Sequence, residues 1–429
     1  VPSKKLSIAA TAVLALFVST ALITSAAQTE SVLRSFNSIG IGGYYPYGSL
    51  ISDSSGNLYG TTSWGGTGQC TDDTGSAIGC GTVFELTPAV GGSWTEKVLY
   101  SFPGTGQNGD EPEASLIFDA SGNLYGTTYY GGLYGDGVVF ELSPRAGGEW
   151  TETVLHSFGQ NGTDGALPCA GLVFDAAGNL YGTTNGGGAY YYWGTVFELT
   201  PHAGGEWTET ILHSFNDAGT DGWYPLAGLV IDSAGNLYGT TYNGGVNYYE
   251  GTVFELTPTA GGEWTETVIH SFDNNGTDGN NPFASLTLDS AGNLYGTTIF
   301  GGAENNSGAG TVFELTPGTG GNWTETILRS FNGSTIGGRF PRAGVILDAS
   351  GNLYGTTTEG GTAGFGTVFE LTPKAGGGFT EKLLHSFGAN ARDGKDSLGG
   401  LLMDSSGNLY GTTYEGGAYT YGAVFKIKP

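Results

Sequence analysis

Gly56-Asn57-Leu58-Tyr59-Gly60-Thr61-Thr62 recurs seven times in this chain, with its Asn at 57, 123, 179, 236, 293, 352 and 408. Successive copies stand 66, 56, 57, 57, 59 and 56 residues apart. A period this regular means that one supersecondary unit is arrayed seven times. The stretch from Ala170 to Phe215 displays the unit. An apolar run too short for a helix, Gly171–Asp175, is followed by the heptapeptide around Asn179. A Gly/Tyr-rich loop leads to Gly194-Thr-Val-Phe-Glu-Leu-Thr-Pro201, and an Ala-Gly-Gly turn to Trp207-Thr-Glu-Thr-Ile-Leu-His-Ser-Phe215. β-Branched and aromatic residues bounded by Gly and Pro read as four strands per unit. Asp175-Ala-Ala-Gly178 has the Asp and Gly that a type I turn favours at its first and fourth positions. The Asp recurs in every copy, which marks a turn cap rather than a metal ligand.

Counting strands closes the array. Gly-Thr-Val-Phe-type strands appear seven times, from Gly81 to Gly422, but the Trp-Thr-Glu strand follows only six heptapeptides and ends at Phe387. The missing seventh copy is Ser31–Asn37, at the other end of the chain. The N-terminal strand therefore completes the last unit and leaves no unpaired edge. The expected fold is an all-β, seven-bladed β-propeller of four-stranded antiparallel blades, forming a single domain over residues 28–429.

The chain carries 80 Gly, yet also 24 Tyr, 22 Phe and 8 Trp, a composition of turn-rich β structure rather than disorder. Forty acidic against fourteen basic side chains give a net charge of −26, which repels nucleic acid and anionic membranes. Lys4 and Lys5, the apolar stretch Leu6–Ile23 and the small residues Ser25–Ala27 read as a secretory signal over residues 1–27, with an uncleaved anchor as the alternative. Cys70 and Cys80 fall in the one long interval, where a disulfide suits an exported protein. Cys169 is left over as a buried free thiol, and no zinc spacing of Cys and His is present.

The ordered series Leu-Tyr-Gly-Thr-Thr, Gly-Gly, Gly-Thr-Val-Phe-Glu-Leu-Thr-Pro and a strand ending Leu-His-Ser-Phe resembles the GloVer tandem repeat over about residues 31–429. The resemblance implies a bacterial, exported, surface-associated protein, and it supplies no catalytic residues. Members carry varied C-terminal anchors. Here the sequence ends on Ala423–Lys428 without a sorting motif or apolar tail, so no C-terminal membrane anchor is expected.

Strand direction alternates, so the loops joining strand four to the next strand one share an end of the propeller with the loops joining strands two and three. All loop variation falls on that end, and variable loops on a rigid scaffold are where binding concentrates. The two-to-three loops hold Trp64, Tyr129, Tyr130, Tyr134, Tyr190, Tyr191, Tyr192, Trp193, Tyr242, Tyr248, Tyr249, Phe300, Tyr414, Tyr419 and Tyr421. The four-to-one loops add Trp223, Tyr224 and Phe340, beside Tyr44 and Tyr45. Rings with a polar tip suit recognition, and sugar stacking in particular. Packing between blades is the competing reading for any single ring.

Asp-Gly pairs such as Asp164-Gly165 and Asp393-Gly394 fit turn chemistry, with weak Ca²⁺ binding as a lesser reading. No cofactor and no dedicated metal site is expected. His156, His213, His270 and His385 occupy one repeated strand position, which indicates structural residues. No nucleophile elbow or phosphate loop is present. The reading is an exported, secreted or periplasmic binding module for an extracellular glycan or other polymer, acting as a monomer. A glycoside hydrolase or polysaccharide lyase is the alternative, using top-end acids among Glu304, Glu359, Glu415, Glu250 and Asp136. A structural component of the cell surface is a third.

Overall fold

The computed structural model describes residues 30–39, 41–72, 74–190, 192–273, 275–303, 308–332 and 337–429. The region read as a signal segment, together with Tyr191 and Glu304, lies outside them. Seven antiparallel blade sheets follow one another, six of four strands and one, in the fifth blade, of five because Gly279–Pro282 joins it, and the only helical element among the described residues is a 3₁₀ turn at Thr319–Gly321. The last blade is completed as expected: Ser31–Ser35 pairs antiparallel with Ala423–Ile427, Ser31 opposite Lys426 and Ser35 opposite Ala423. No helix among the described residues is long and apolar enough to cross a membrane.

Each letter of the heptapeptide has a physical role. Asp53 Oδ1 accepts from the backbone N–H of Ser55 and Asn57 at 2.8 and 2.9 Å, while Oδ2 accepts from Asn57 Nδ2 at 2.8 Å and the Tyr59 hydroxyl at 3.1 Å. The same cap forms at Asp119, Asp175, Asp232, Asp289, Asp348 and Asp404. Gly56, at the turn, has φ of 82°, which a side chain would strain. Leu58 is buried. A Cβ on Gly60 would sit 2.7 Å from Phe84 Cζ, so only glycine lets the third-strand ring lie across the second strand. Thr61 Oγ1 donates to the carbonyl of Ala114 in the next blade, and the Thr62 and Thr82 hydroxyls bond each other at 2.7 Å.

Blades meet through seven apolar clusters. At the centre of each, the Phe that ends one blade's fourth strand meets the third-strand Phe of the next edge-on, from Phe36–Phe84 round to Phe387–Phe425. Ring centroids stand 5.1–5.3 Å apart in all seven pairs. Such edge contacts add to the area term because the ring edge is positive and the face negative. The first strands are shorter than the apolar runs suggest. In the third blade only Val173–Phe174 pairs as strand, because the residues before it turn their carbonyls to the Thr of the preceding blade instead of to a ladder partner.

Candidate functional site

The expectation that two loop sets share one end is met by pairing. Gly43–Tyr44 forms a two-stranded ribbon with Trp64–Gly65, and the equivalent ribbon recurs in every blade. The facing residues differ each time: Tyr44 with Trp64, Asp110 with Tyr130, Ala166 with Gly186, Trp223 with Asn243, Asn280 with Phe300, Arg339 with Glu359, Lys395 with Glu415.

Inside this ring of ribbons opens the central channel, a cavity of about 210 Å³. Its wall is a collar of small residues, among them Gly48, Ala114, Ala170, Ala227, Ala284, Ala343 and Gly399. Directly before the collar each blade contributes one residue, and the seven span six residue types: Tyr47, Glu113, Cys169, Leu226, Phe283, Arg342 and Leu398. Two residues earlier stand Tyr45, Glu111, Leu167, Tyr224, Asn281, Phe340 and Asp396, all left-handed with φ of 54–59°. Each is bolted on both sides. Glu111 N–H donates to the Cys80 carbonyl of the preceding blade, and its own carbonyl accepts from Tyr129 N–H. A strained backbone repeated in seven blades and held by two neighbours is a built feature of the mouth.

Charge gathers on one side of this mouth. Burial, and then the neighbouring Glu111, pushes the Glu113 carboxyl up to about 7. Burial and Asp110 raise Glu111, partly offset by a hydrogen bond from the Trp64 side chain. Tyr130 is raised by burial and by the charges of Glu111, Glu113 and Asp110, which places its ring among them. In the last blade, burial and the charges of Glu415 and Glu359 lift Asp396 to about 6, against Lys395 and Arg342. Cys169 is not simply buried packing. It lines the channel wall as a free thiol, pushed up to about 12 by burial and by Glu113.

The predicted rings form a packed set and an exposed set, which overlap at Tyr130, Tyr248, Tyr249 and Phe300. Trp64, Tyr414 and Tyr421 pack with Tyr44 and Tyr45 where the last blade meets the first, and Tyr45 stacks on Tyr414 at 4.6 Å. Trp193, Trp223 and Tyr224 form a second cluster, on which Tyr248 and Tyr249 rest through Trp223. Tyr129 meets Tyr130, Tyr242 meets Phe283, and Phe340 meets Phe300. By contrast Tyr130, Tyr134, Tyr190, Tyr192, Tyr248, Tyr249, Phe300 and Tyr419 are exposed, Tyr192 at 72%. Of the acids singled out in the sequence, Glu359 is tied to Arg339 and Glu415 lies opposite Lys395. The half-buried carboxyls of the mouth are Glu111, Glu113 and Asp396 instead. Aligning the seven copies exposes them, since their columns change in every blade beside an unchanging Gly/Ala collar.

The sulfurs of Cys70 and Cys80 are joined. The four repeated His each face the Asp eight residues on; a Glu at the next blade's fourth strand completes each cluster.

The Gloeobacter/Verrucomicrobia repeat matches residues 21–249, 69–309 and 228–429. The chain belongs to the Gloeobacter/Verrucomicrobia repeat family. No curated protein matches it. Among solved structures it is similar to a Bacteroides uniformis protein provisionally described as a 6-phosphogluconolactonase, at 14% identity and a TM-score of 0.48 over 85% of this chain and 88% of that one. It is also similar to a protein provisionally described as a gluconolactonase, at 14% identity and a TM-score of 0.41 over 84% of this chain and 95% of that one. Both likenesses are distant.

Proposed function

We propose that this Gloeobacter/Verrucomicrobia repeat protein is an exported binding module that holds a carbohydrate polymer across its loop end. One observation carries the reading. Among the described residues, fourteen large apolar or aromatic side chains are exposed, and all but Val90 and Leu383 belong to the loops of that end. A soluble surface that concentrates its exposed rings in one place is a candidate contact surface. Tyrosine rings that present a flat apolar face and a hydroxyl, with carboxylates such as Glu111 and Asp110 beside Tyr130, are suited to stacking on sugars and accepting hydrogen bonds from their hydroxyls.

The test is a glycan array and a polysaccharide pull-down with the full chain. Retention on at least one polysaccharide is expected, weakened about tenfold for each 1.4 kcal/mol lost when Tyr130, Tyr192 or Tyr249 becomes Ala. Failure to be retained on any plant, fungal or bacterial polysaccharide sinks the reading.

The raised Glu113 favours a second reading, cleavage of the held glycan. A carboxyl kept protonated near neutrality beside another acid is what glycoside hydrolysis requires of its general acid. Reducing ends released from a polysaccharide panel, and lost in Glu113→Gln, would establish it. Binding without release leaves the module as a binder.

A further inference from the structure

At its outer edge each blade meets the next across a polar seam of three positions. The first lies two residues before the fourth-strand Phe, and the second eight residues after the first, where the loop ribbon begins. The third is the Glu of the next blade's fourth strand. That Glu is present in all seven seams, while the other two positions change together. Arg34 and Arg329 come with Gly42 and Gly337, and Tyr100 comes with Asn108. His156, His213, His270 and His385 come with Asp164, Asp221, Asp278 and Asp393.

Charge explains the pairing. Arg34 Nη2 lies 2.5 Å from Glu96 Oε2, and Arg329 Nη2 lies 2.9 Å from Glu381 Oε2, one guanidinium to one carboxylate. A Cβ on Gly42 would stand 3.8 Å from the Arg34 guanidinium, so the place an Asp takes elsewhere adjoins a cation here. In the seam between, Tyr100 and Asn108 both donate to Glu152. The His seams hold two carboxylates and no arginine. With neutral imidazole and both acids ionised, two negative charges would stand uncancelled.

The donor atoms are already gathered. His385 Nε2 lies 3.1 Å from Asp393 Oδ1 and 3.6 Å from Glu30 Oε2. His156 Nε2 lies 3.3 Å from Asp164 and 3.5 Å from Glu209, and His270 Nε2 lies 3.5 Å from both Asp278 and Glu325. Within each cluster all three donors fall within 4.8 Å of one another. Donors bound at about 2.0–2.2 Å around a tetrahedral zinc ion stand roughly 3.3–3.6 Å apart. Some of these atoms lack any other use. His270 Nε2 and Glu325 Oε1 are buried without a hydrogen-bond partner. The Glu30 side chain is 8% exposed, with its Oε1 likewise unpartnered.

We propose that the four His-Asp-Glu seams are binding sites for a first-row divalent cation of the zinc type, each held by one imidazole nitrogen and two carboxylates, with open positions for water. A dication balances two carboxylates as arginine balances one. The nitrogen donor selects against Ca²⁺ and Mg²⁺, which favour all-oxygen shells. Each ion joins neighbouring blades. At the His385 seam it ties Glu30, immediately before the strand that completes the last blade, to His385 of the blade before, and so fastens the closure.

The experiment is titration of the chelator-stripped full chain with Co²⁺ and then Zn²⁺ at neutral pH. Expected are up to four equivalents, one per cluster. The visible absorption of cobalt in a low-symmetry N/O site should appear, be displaced by zinc, and come with a raised melting temperature. The double variant His213→Arg, Asp221→Gly copies the Arg329–Gly337 seam and is expected to fold normally and lose one equivalent. No cobalt band and no thermal shift with either ion overturns the proposal and leaves a shared proton in the seams. Uptake that the double variant does not reduce overturns it too, because the ions then sit elsewhere.

Discussion

The two ends of this propeller are made by the same strands and obey opposite rules. At the turn end, the Asp-x-x-Gly cap is reproduced in all seven blades with the same hydrogen bonds. At the loop end, the seven residues before the collar include a phenol, two charges of opposite sign, a thiol and three apolar side chains. Repetition reports a demand that every blade shares, which is folding. Departure from repetition, on a backbone that itself stays repeated even in its left-handed residues, reports a demand placed on the assembled ring.

That contrast can be broken most forcefully by removing one copy of the repeated set. Deleting residues 30–37 takes away the strand opposite Ala423–Ile427 and the fully buried Phe36. Each large side chain so lost is worth about 1.5–3 kcal/mol, against a net stability of about 5–15 kcal/mol. Aggregation, or a melting temperature far below that of the intact chain, is expected in thermal scans with light scattering. A monomer with unchanged melting would refute closure by this strand.

Next in size is Phe197→Ala, which empties the contact with Phe158 and should cost about 3–5 kcal/mol in denaturant titration. The effect should be much the same for any of the seven third-strand Phe residues. Wide scatter among them would show that the seams are not equivalent.

Asp175→Ala tests the cap itself. Burial raises this carboxyl, but the bonds from Asn179, Ala177 and Tyr181 outweigh it and hold it below its ordinary 3.8. A lowered folded pKa adds stability above the unfolded value and loses it as pH falls below that value. Acid unfolding below about pH 4 should therefore be blunted in the variant, which starts roughly 1–3 kcal/mol less stable at neutral pH.

Glu113→Gln is the mirror case at the loop end. Its folded carboxyl is raised from 4.5 to about 7, so its stabilising proton is fully present below 4.5 and lost as pH climbs through 7. The wild-type chain should soften across that window, and the variant should show a flatter melting profile. A profile that keeps its slope would move the titrating group elsewhere.

Smallest for stability are Tyr190→Ala and Tyr192→Ala, expected within about 0.5 kcal/mol of wild type because both rings are exposed. Their effect belongs to ligand retention. A large stability loss would place these rings among the packed ones.

The turn end is legible in the sequence alone. Asp, Gly and Tyr recur at fixed spacing, and the offset of Ser31–Asn37 declared the closure. The loop end was legible as a location but not residue by residue. Trp223 and Tyr130 look alike in sequence, yet Trp223 is 4% exposed and supports Tyr248, while Tyr130 stands out at 43%. What separates them is packing from adjacent blades, which local composition does not encode. Glu111 and Glu113 were overlooked because they flank a Pro in a stretch that reads as a loop exit, and their proximity to Trp64 and Tyr130 comes from pairing between the two loop sets. The His positions are visibly repeated, but their partnership with a Glu of the next blade, which for His385 is Glu30 at the other end of the chain, appears only when blades are laid side by side.

Closure by the first strand also imposes a schedule. A chain emerging from the ribosome or a translocation pore delivers Ser31–Ser35 first and its partner Ala423–Ile427 last. Gly48 and Ser49 wait equally long for Thr412 and Gly400. Inner blades can stack as they appear, but the opening segment has no ladder until almost the final residue is out. For the whole of its synthesis the protein therefore carries one sticky strand at the front and one growing edge behind, and whatever escorts it must shield both.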